Sequence, residues 1–546
     1  MHAAGAAGEE AAEPVIRTVP PALLALVVLA LSIRLYGLDA RTLTHPEAYV
    51  PRIPFPAYAT APRERQTLGQ VLVGTRDQDV HPPAFYVLAW LWAGVVGAGL
   101  FAIRLPSALL GAGTVAVFYG LARRDASARV AVLAAGLLAL HGHHVFWSQH
   151  ARPWALLTLL AVLSTLLLRQ LADRWSLGRA TLYVGVTALG LWTGYYFWPV
   201  VASQGLWALT RGARGLLGLS AVAVVLGSPV LVLARLHAER PSYLASDPGA
   251  PLLNLLAFGR VVDVPATAER VGWAAAGLLV VAGAAALVAG LQAAPPHGTA
   301  PASARPWLTM ALANAALAVS AFLVVAGEVV HGGRPKLLAA GLVLPWAALA
   351  GWLVTGPAWG AVARLLRPVA WLGGDLTAMV ALAPVLLLVG LSVVTPVLAE
   401  RALLVLAPFW LLLMVRGVGR LLTSPRRLAG AWAVVLVLGG ASTYLGLTRP
   451  NHPIDYQSLV DALRPRLQAG DVVVVANAWW AQPVHYYLPD VERVAPEAIP
   501  AEAGRIWYSV LGERNAVSVP VSVDGRVEVE RVTARGALAI LFVRPE

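Results

Sequence analysis

The stretch DVHPPAFYVLAWLWAGVVGAGLFAIRLPSALLGAGTVAVFYGLARR, Asp79 to Arg124, sets the character of the chain. It opens on a polar Asp-Val-His-Pro-Pro turn, runs apolar over 84–97, breaks at glycines, and resumes apolar over 103–122. It stops at Arg123 and Arg124. About 17–25 apolar residues are needed to cross roughly 30 Å of hydrocarbon as a helix. The second run has that length and the first does not. Asp79 ahead of a Pro-Pro pair is also a good helix start.

The same unit recurs along the chain. A first apolar run spans about Pro21 to Tyr36. Further runs fall near 129–147, 154–170, 181–194, 196–210, 215–235, 272–292, 307–326, 337–355, 376–398, 402–415 and 428–447. Composition agrees: of 546 residues 58% are hydrophobic and 13% charged, against about 25% charged in a soluble chain. A soluble surface could not be covered with so few charges, so the bilayer is the solvent this sequence fits.

Net charge is +12, yet the arginines sit in short loops between apolar runs rather than on a basic, aromatic-studded face. That excludes nucleic acid as the expected partner. Arg123, Arg124 and Arg129 share one loop; Arg169, Arg174 and Arg179 another; Arg211 and Arg214, Arg364 and Arg367, and Arg416, Arg420, Arg426 and Arg427 follow at matching parity. All become cytoplasmic if 84–97 does not fully cross. Residues 1–20 then read as a flexible cytoplasmic tail rather than a cleaved signal. The loop 37–83, the segment around 148–152, Tyr195–Tyr196, the loop 236–271 and Glu400–Arg401 face outward together. Cysteine is absent, so no disulfide framework and no thiolate chemistry exist.

The last hundred residues differ. DYQSLVDALRPRL has amphipathic helical spacing, DVVVVANA reads as a buried strand, and Gly470–Asp471 makes a turn between them. Residues 506–545 read as short strands. The expected organisation is a membrane domain over 21–447, with a first outer loop at 37–83, and a small extracytoplasmic α/β domain over 448–546.

Several segments carry a resemblance. Asp79–Arg124 is similar to the N-terminal signature of polyprenyl-phosphate-dependent glycosyltransferases, the GT-C, family 39-like enzymes that include the protein O-mannosyltransferases and the lipid A aminoarabinose transferase. WSQHARPWALLTLLAVLS (Trp147–Ser164), GYYF (194–197), ERALLVLAPFWLLLMVRGV (Glu400–Val418) and DVVVVANAWWAQPVHYYLP (Asp471–Pro489) resemble further signatures in the same order. The resemblance implies a mainly α, polytopic GT-C membrane protein of about 13 transmembrane helices. It implies transfer of a sugar from a polyprenyl-phosphate donor to a lipid, glycan or protein acceptor outside the inner or plasma membrane, usually with inversion.

Such a site must bind a phosphate beside the membrane, which calls for arginine. It must stabilise charge on the leaving group and offer a base for the acceptor's proton. In LTHPEAYV, Leu43 to Val50, Pro46 stands where the family pattern has an aspartate and Glu47 where it has a glutamate. His150 replaces the glutamate of SQEAR. Two readings follow: a rewired site, or a descendant that binds lipid-linked sugar or assists a partner enzyme without standard catalysis. A transporter or flippase is the rival from another class, and would show paired inverted halves and charges at midspan.

In the rewired site Glu47 and Asp79 are the expected catalytic acids, with Asp77 or a histidine also able to serve as base. His81, His150, Arg152, Tyr195 and Arg401 are the expected substrate-binding residues. No metal ligand is assigned, and a divalent metal is left open as a cofactor. The histidine-dense HGHHVFWSQH, His141 to His150, remains unassigned.

Overall fold

The computed structural model describes residues 20–50, 66–77, 79–211, 213–238, 255, 375–394, 397–399, 401–419, 424–448, 454–476, 478–511 and 523–545. The apolar runs expected at 272–292, 307–326 and 337–355, most of the loop 236–271, and Glu400 lie outside them. So do most of the 1–20 tail and Arg364, Arg367 and Arg420.

The described chain is mainly helical with one small C-terminal sheet. Its helices are α1 (Pro21–Leu35), α2 (Leu68–Asp77), α3 (Ala84–Val96), α4 (Leu100–Asp125), α5 (Ala128–Ala139), α6 (Gly142–Ser148), α7 (Trp154–Asp173) and α8 (Leu177–Thr193). They continue as α9 (Trp198–Thr210), α10 (Arg214–Gly227), α11 (Val230–Ala238), α12 (Leu376–Val394), α13 (Ala407–Gly419), α14 (Pro425–Thr448), α15 (Tyr456–Leu463) and α16 (Ala478–Tyr487).

Among the described residues α4, α7 and α14 are each long and apolar enough to cross a bilayer. The pairs α5–α6 and α10–α11 reach that length together, bent by 57° and 55°. The sequence reads 129–147 and 215–235 as continuous spans, so both bends are departures. Pro229 lies in the second break and removes a helical N–H there. At the first break the His141 side chain caps α6 by accepting from the His144 N–H at 3.2 Å. Gly142 then packs directly on α14, its N–H donating to Ser442 Oγ at 2.9 Å.

A Cβ on Gly142 would lie 1.9 Å from the Ser442 carbonyl oxygen. Gly142→Ala therefore forces α6 and α14 apart, at a cost of about 1–3 kcal/mol. It should lower the unfolding temperature of the detergent-solubilised protein, while Gly440→Ala on α14, where nothing lies within 4 Å, leaves it unchanged. Equal behaviour of the two variants would refute the crossing.

The bundle has two chemically different ends. At one, Arg124 pairs with Asp173 at 2.9 Å, Arg169 with Asp125 at 3.6 Å, and Arg416 with Asp375 at 2.7 Å, tying α4 to α7 and α13 to the start of α12. At the other end, about 30 Å away along α4, sits Arg104. Helix α3 has 13 residues, about 20 Å, short of the hydrocarbon thickness. Both of its ends meet this second end of the bundle: Tyr86 in its first turn donates to Asp79, and Trp92 near its last donates to the Ala102 carbonyl.

The C-terminal sheet has order β2-β1-β3-β5-β4, with β1 (Val472–Val475), β2 (Glu492–Val494), β3 (Arg505–Leu511), β4 (Val527–Ala534) and β5 (Ala537–Val543). β1 is parallel to β2 and β3, and β5 is antiparallel to β3 and β4. All of β1 is buried, as its unbroken valines require. Gly470 turns at φ +87° before it, a conformation that favours glycine. Asp455 caps α15 by accepting from Ser458 N–H at 3.1 Å.

This unit is fastened to the first loop. The Leu43 N–H donates to the Tyr487 hydroxyl at 2.7 Å, and the Gln457 N–H donates to Thr42 Oγ1 at 3.2 Å.

Candidate active site

Glu47 and Arg104 form the floor. Thr44 and Glu47 make a reciprocal capping box around the single 3-10 turn His45–Tyr49. Arg104, from the first turns of α4, meets the Glu47 carboxylate side-on, Nε to Oε1 and Nη2 to Oε2, both at 2.8 Å. Its remaining N–H groups reach the carbonyls of Leu38, Arg41 and Thr42, each at 2.9 Å. Every guanidinium donor is thereby used.

Glu47 Oε1 also accepts from the Ala151 N–H at 2.9 Å, and Oε2 from Thr44 N–H at 3.0 Å. Glu47 is 0% exposed. Burial alone would raise its carboxyl pKa. The Arg104 charge and hydrogen bonds, the nearby His150 and the Ala151 N–H outweigh burial and hold the group well below the ordinary carboxylate range. Glu47, an expected catalytic acid, is thus a closed, ionised clasp in this structure, with no lone pair turned toward a substrate.

Above the clasp lies a second cluster. Asp79 Oδ1 accepts from the backbone N–H groups of Val80 and His81, at 2.7 and 2.9 Å, and from His81 Nδ1 at 2.8 Å. Oδ2 accepts from the Tyr86 hydroxyl at 2.6 Å and faces Arg152 Nη1 at 3.4 Å. Asp79 is not the cap of α3, whose N-cap is Pro83 without a side-chain hydrogen bond; it folds the Asp-Val-His turn on itself. Burial would raise its pKa, but the Arg152 charge, His81 and Tyr86 together hold it well below normal.

Arg152 joins the two clusters. Its Nη1 donates to the Pro46 carbonyl at 2.7 Å and to the Tyr86 hydroxyl at 2.8 Å. Arg152 thus meets Pro46 through its main-chain carbonyl. Arg152 Nη2 also stands 3.1 Å from His81 Nδ1. That nitrogen cannot both donate to Asp79 and accept from Arg152. The ionised carboxylate fixes the proton on Nδ1, and the arginine contact is close packing. His81 is then neutral, with its lone pair on Nε2; burial, then the Arg152 charge, pull its pKa down to about 4 against the opposing Asp79.

The wall is aromatic. The Arg401 guanidinium lies over Trp147 and Trp154, 5.6 and 5.4 Å from the ring centroids. Trp154 meets His81 edge-on at 5.7 Å and Tyr196 at 5.8 Å. His150 lies against Phe146 and Trp147, at 4.4 and 5.4 Å. Its Nδ1 donates to the Phe146 carbonyl at 2.7 Å, and burial brings its pKa down to about 4 in spite of Glu47.

The structure therefore brings Glu47, Asp79, His81, His150, Arg152 and Arg401 to one end of the bundle. Tyr195 turns elsewhere: its hydroxyl contacts His237 Nδ1 at 2.9 Å, and His237 Nε2 faces the Thr75 carbonyl on α2 at 3.1 Å. Its neighbour Tyr196 takes the inward position. Asp77 pairs with Arg76 on an exposed surface at 2.6 Å. Tyr86, Trp147 and Trp154 are additions that the sequence reading does not contain. Tyr86 had a signal, since a first-turn helical side chain points back at the preceding loop. Among the described residues no group of three or more His, Cys, Asp or Glu side chains could hold a metal ion.

A helical membrane bundle that buries carboxylate-bound arginines beside an aromatic wall at one end is equipped to hold a phosphate at the membrane edge. Residues 80–235 match the model of the dolichyl-phosphate-mannose-protein mannosyltransferase family. That match spans 156 of the 546 residues, and the likeness to the family rests on this segment. None of the curated proteins matches it.

Among solved structures it is similar to ArnT from Cupriavidus metallidurans in the apo state, at 14% identity and TM-score 0.44, covering 95% of this chain and 97% of that one. The same protein bound to undecaprenyl phosphate gives 15% identity, TM-score 0.42 and the same coverage. The Archaeoglobus fulgidus oligosaccharyltransferase in complex with zinc and sulfate gives 14% identity and TM-score 0.38, over 90% of this chain and 63% of that one.

Proposed function

We propose that the protein transfers a sugar from a polyprenyl-phosphate donor to an acceptor outside the membrane, at the end of the bundle where Arg152 and Arg401 lie. The observation that carries this reading is the Asp79–His81 pair buried under Arg152, at the start of the segment, residues 80–235, that matches the mannosyltransferase family. In this reading the basic end with Arg124, Arg169 and Arg416 is cytoplasmic, and residues 448–546 form the outer α/β domain of a membrane domain spanning 21–447.

The chemistry follows from the geometry. The acceptor oxygen attacks the anomeric carbon while the bond from that carbon to the donor phosphate oxygen breaks. The lipid phosphate departs with the electron pair, beside Arg401 and Arg152. His81 Nε2 takes the acceptor's proton, and Asp79 stabilises the imidazolium that forms, as an oriented carboxylate does for a catalytic histidine. Glu47 holds Pro46 and Ala151 in place rather than moving a proton. His150 backs the aromatic wall.

The test is a turnover assay of purified protein in lipid nanodiscs. It offers a panel of polyprenyl-phosphate sugars and follows released lipid phosphate. His81→Gln and Asp79→Asn should each lower kcat by about 10²–10⁴-fold. Because a base works only when unprotonated, kcat/KM of the parent should be level around neutral pH and fall as pH drops through about 4. A parent rate that rises on acidification, or variants as fast as the parent, would remove His81 from the reaction.

A second reading has its own support: Pro46 supplies no carboxyl group, and Glu47 is sealed. A chain of this kind could bind lipid-linked sugar without turning it over. Donor binding by the parent that is lost in Arg152→Ala, with no release from any donor, would favour it.

A further inference from the structure

The turn from α7 to α8 and the turn from α9 to α10 lie side by side, at the end of the bundle where Arg124 meets Asp173. Between them is a cavity of about 430 Å³, within the range of roughly 300–1,000 Å³ usual for ligand pockets. Its floor is apolar: Leu171 at the end of α7 and Leu216 at the start of α10 line it and are buried. Trp175 and Arg211 line it from the two turns. The Arg211 guanidinium packs over the Trp207 ring, 4.9 Å from its centroid, and the residue stays exposed. Trp175 is 56% exposed. Gly215 also lines the cavity, and a Cβ there would meet the Trp175 ring at 3.9 Å, an ordinary contact. A larger side chain at this position would fill the cavity without breaking the fold.

Charge here is one-sided. From Arg174 to Ala238 the sequence contains no Asp or Glu, while Arg174, Arg179, Arg211 and Arg214 fall in these two turns or in the first turns of the helices that follow. Asp173, the last acid before them, is held by Arg124 and Arg169 at 2.9 and 3.2 Å. Such a mouth attracts an anion. The flanking surface suits hydrocarbon: α8 exposes Leu177 and Leu182, and α10 exposes Val222 and Val225, each by half or more. An indole between the two environments is the usual interfacial anchor.

We propose that this cavity binds an anionic phospholipid from the leaflet at this end, the cytoplasmic leaflet where the arginine-rich end is inside. The lipid phosphate lies beside Arg211, which offers it charge and a planar fork of donors. The glycerol backbone lies against Trp175, and an acyl chain enters over Leu171 and Leu216. Basic pockets between membrane helices hold anionic headgroups in this way. A soluble anion would use the arginine but leave the apolar floor wet. A zwitterionic lipid would bring a cation among four arginines. The bound lipid ties the α7–α8 turn to the α9–α10 turn. The site lies at the opposite end of the bundle from Arg104 and Arg152, so it does not depend on the reaction proposed there.

The absence of cysteine makes the site addressable by a single label. Ser176→Cys carries a bimane fluorophore next to Trp175 in purified protein held in mixed micelles. Quenching by phosphatidylglycerol with brominated acyl chains is compared with quenching by brominated phosphatidylcholine. Half-maximal quenching is expected at about tenfold less phosphatidylglycerol than phosphatidylcholine. Arg211→Gln should raise the phosphatidylglycerol requirement about fivefold, the scale of one arginine at an anionic surface. Gly215→Leu keeps every charge, fills the cavity, and should do at least as much. A label at Ser228→Cys, exposed at the far end of α10, should show no preference between the lipids. Unfolding temperature checks that each variant is folded; where Arg211→Gln fails that check, Gly215→Leu and the parent's preference decide. Equal quenching by the two lipids at Ser176, a preference that survives cavity filling, or the same preference at Ser228 would overturn the site. Displacement of the lipid by inorganic phosphate at matched ionic strength would mark a soluble-anion site and overturn it as well.

Discussion

Arg152→Ala is expected to lower turnover by on the order of 10³-fold, the scale of losing a preorganised charge at a transition state. The substitution removes a side chain that touches the Pro46 carbonyl, the Tyr86 hydroxyl, Asp79 and His81 together. It leaves the Asp79 carboxylate buried with less compensation and removes a charge that holds the His81 pKa down. Arg152→Lys keeps the charge but not the planar fork. It should recover donor binding better than it recovers kcat. Release of lipid phosphate gives the rate, and unfolding temperature separates a catalytic loss from a structural one. An alanine variant that turns over like the parent would mean that the phosphate leaves elsewhere.

Glu47→Gln should act on stability first. A glutamine amide places a donor against Arg104 and Thr44, which already donate to that spot, and strips the buried guanidinium of its counter-ion. Breaking one partner of a buried ion pair costs about 3–5 kcal/mol. The pH dependence has a definite sign. The folded pKa of Glu47 is depressed below its unfolded value of about 4.3. Its stabilisation is therefore fully present above that value and is lost as pH falls further toward the folded pKa. The gap in unfolding temperature between parent and Glu47→Gln should be constant near neutrality and close in acid. A gap that widens in acid would contradict the ion-pair account. If Glu47 were instead the base, the glutamine variant would keep its unfolding temperature and lose only its rate.

How far the sequence carried can be judged residue by residue. The two ends of the bundle were legible because the length of each apolar run fixes where its arginines emerge; Arg124 and Arg169 meet Asp173 and Asp125 as that parity requires. The gathering of Asp79, His81, Arg152 and Arg401 was legible from motif order. The bend at Leu140 was not, because Gly142 lies against Ser442, three hundred positions away. Glu47 carried two signals at once. Its place in the family pattern suggests catalysis, while the local spacing Thr44-His-Pro-Glu47 is that of a capping box, which the structure forms. The exchange of Tyr195 for Tyr196 turned on a short 3-10 helix, Tyr195–Phe197, whose phase no apolar pattern sets.

The bond from the Leu43 N–H to the Tyr487 hydroxyl spans 444 positions, and it bears on the order in which the molecule is assembled. The Glu47–Arg104 clasp joins segments only 57 positions apart, so it can close while most of the chain is still being synthesised. Long-range contacts form late and slowly because the intervening loop must first be brought together. The first loop is thus shaped by its neighbours during insertion and locked by the C-terminal sheet unit only when translation ends. A nascent chain would hold its charged clasp shut against lipid from the start, yet acquire a fixed outer loop last.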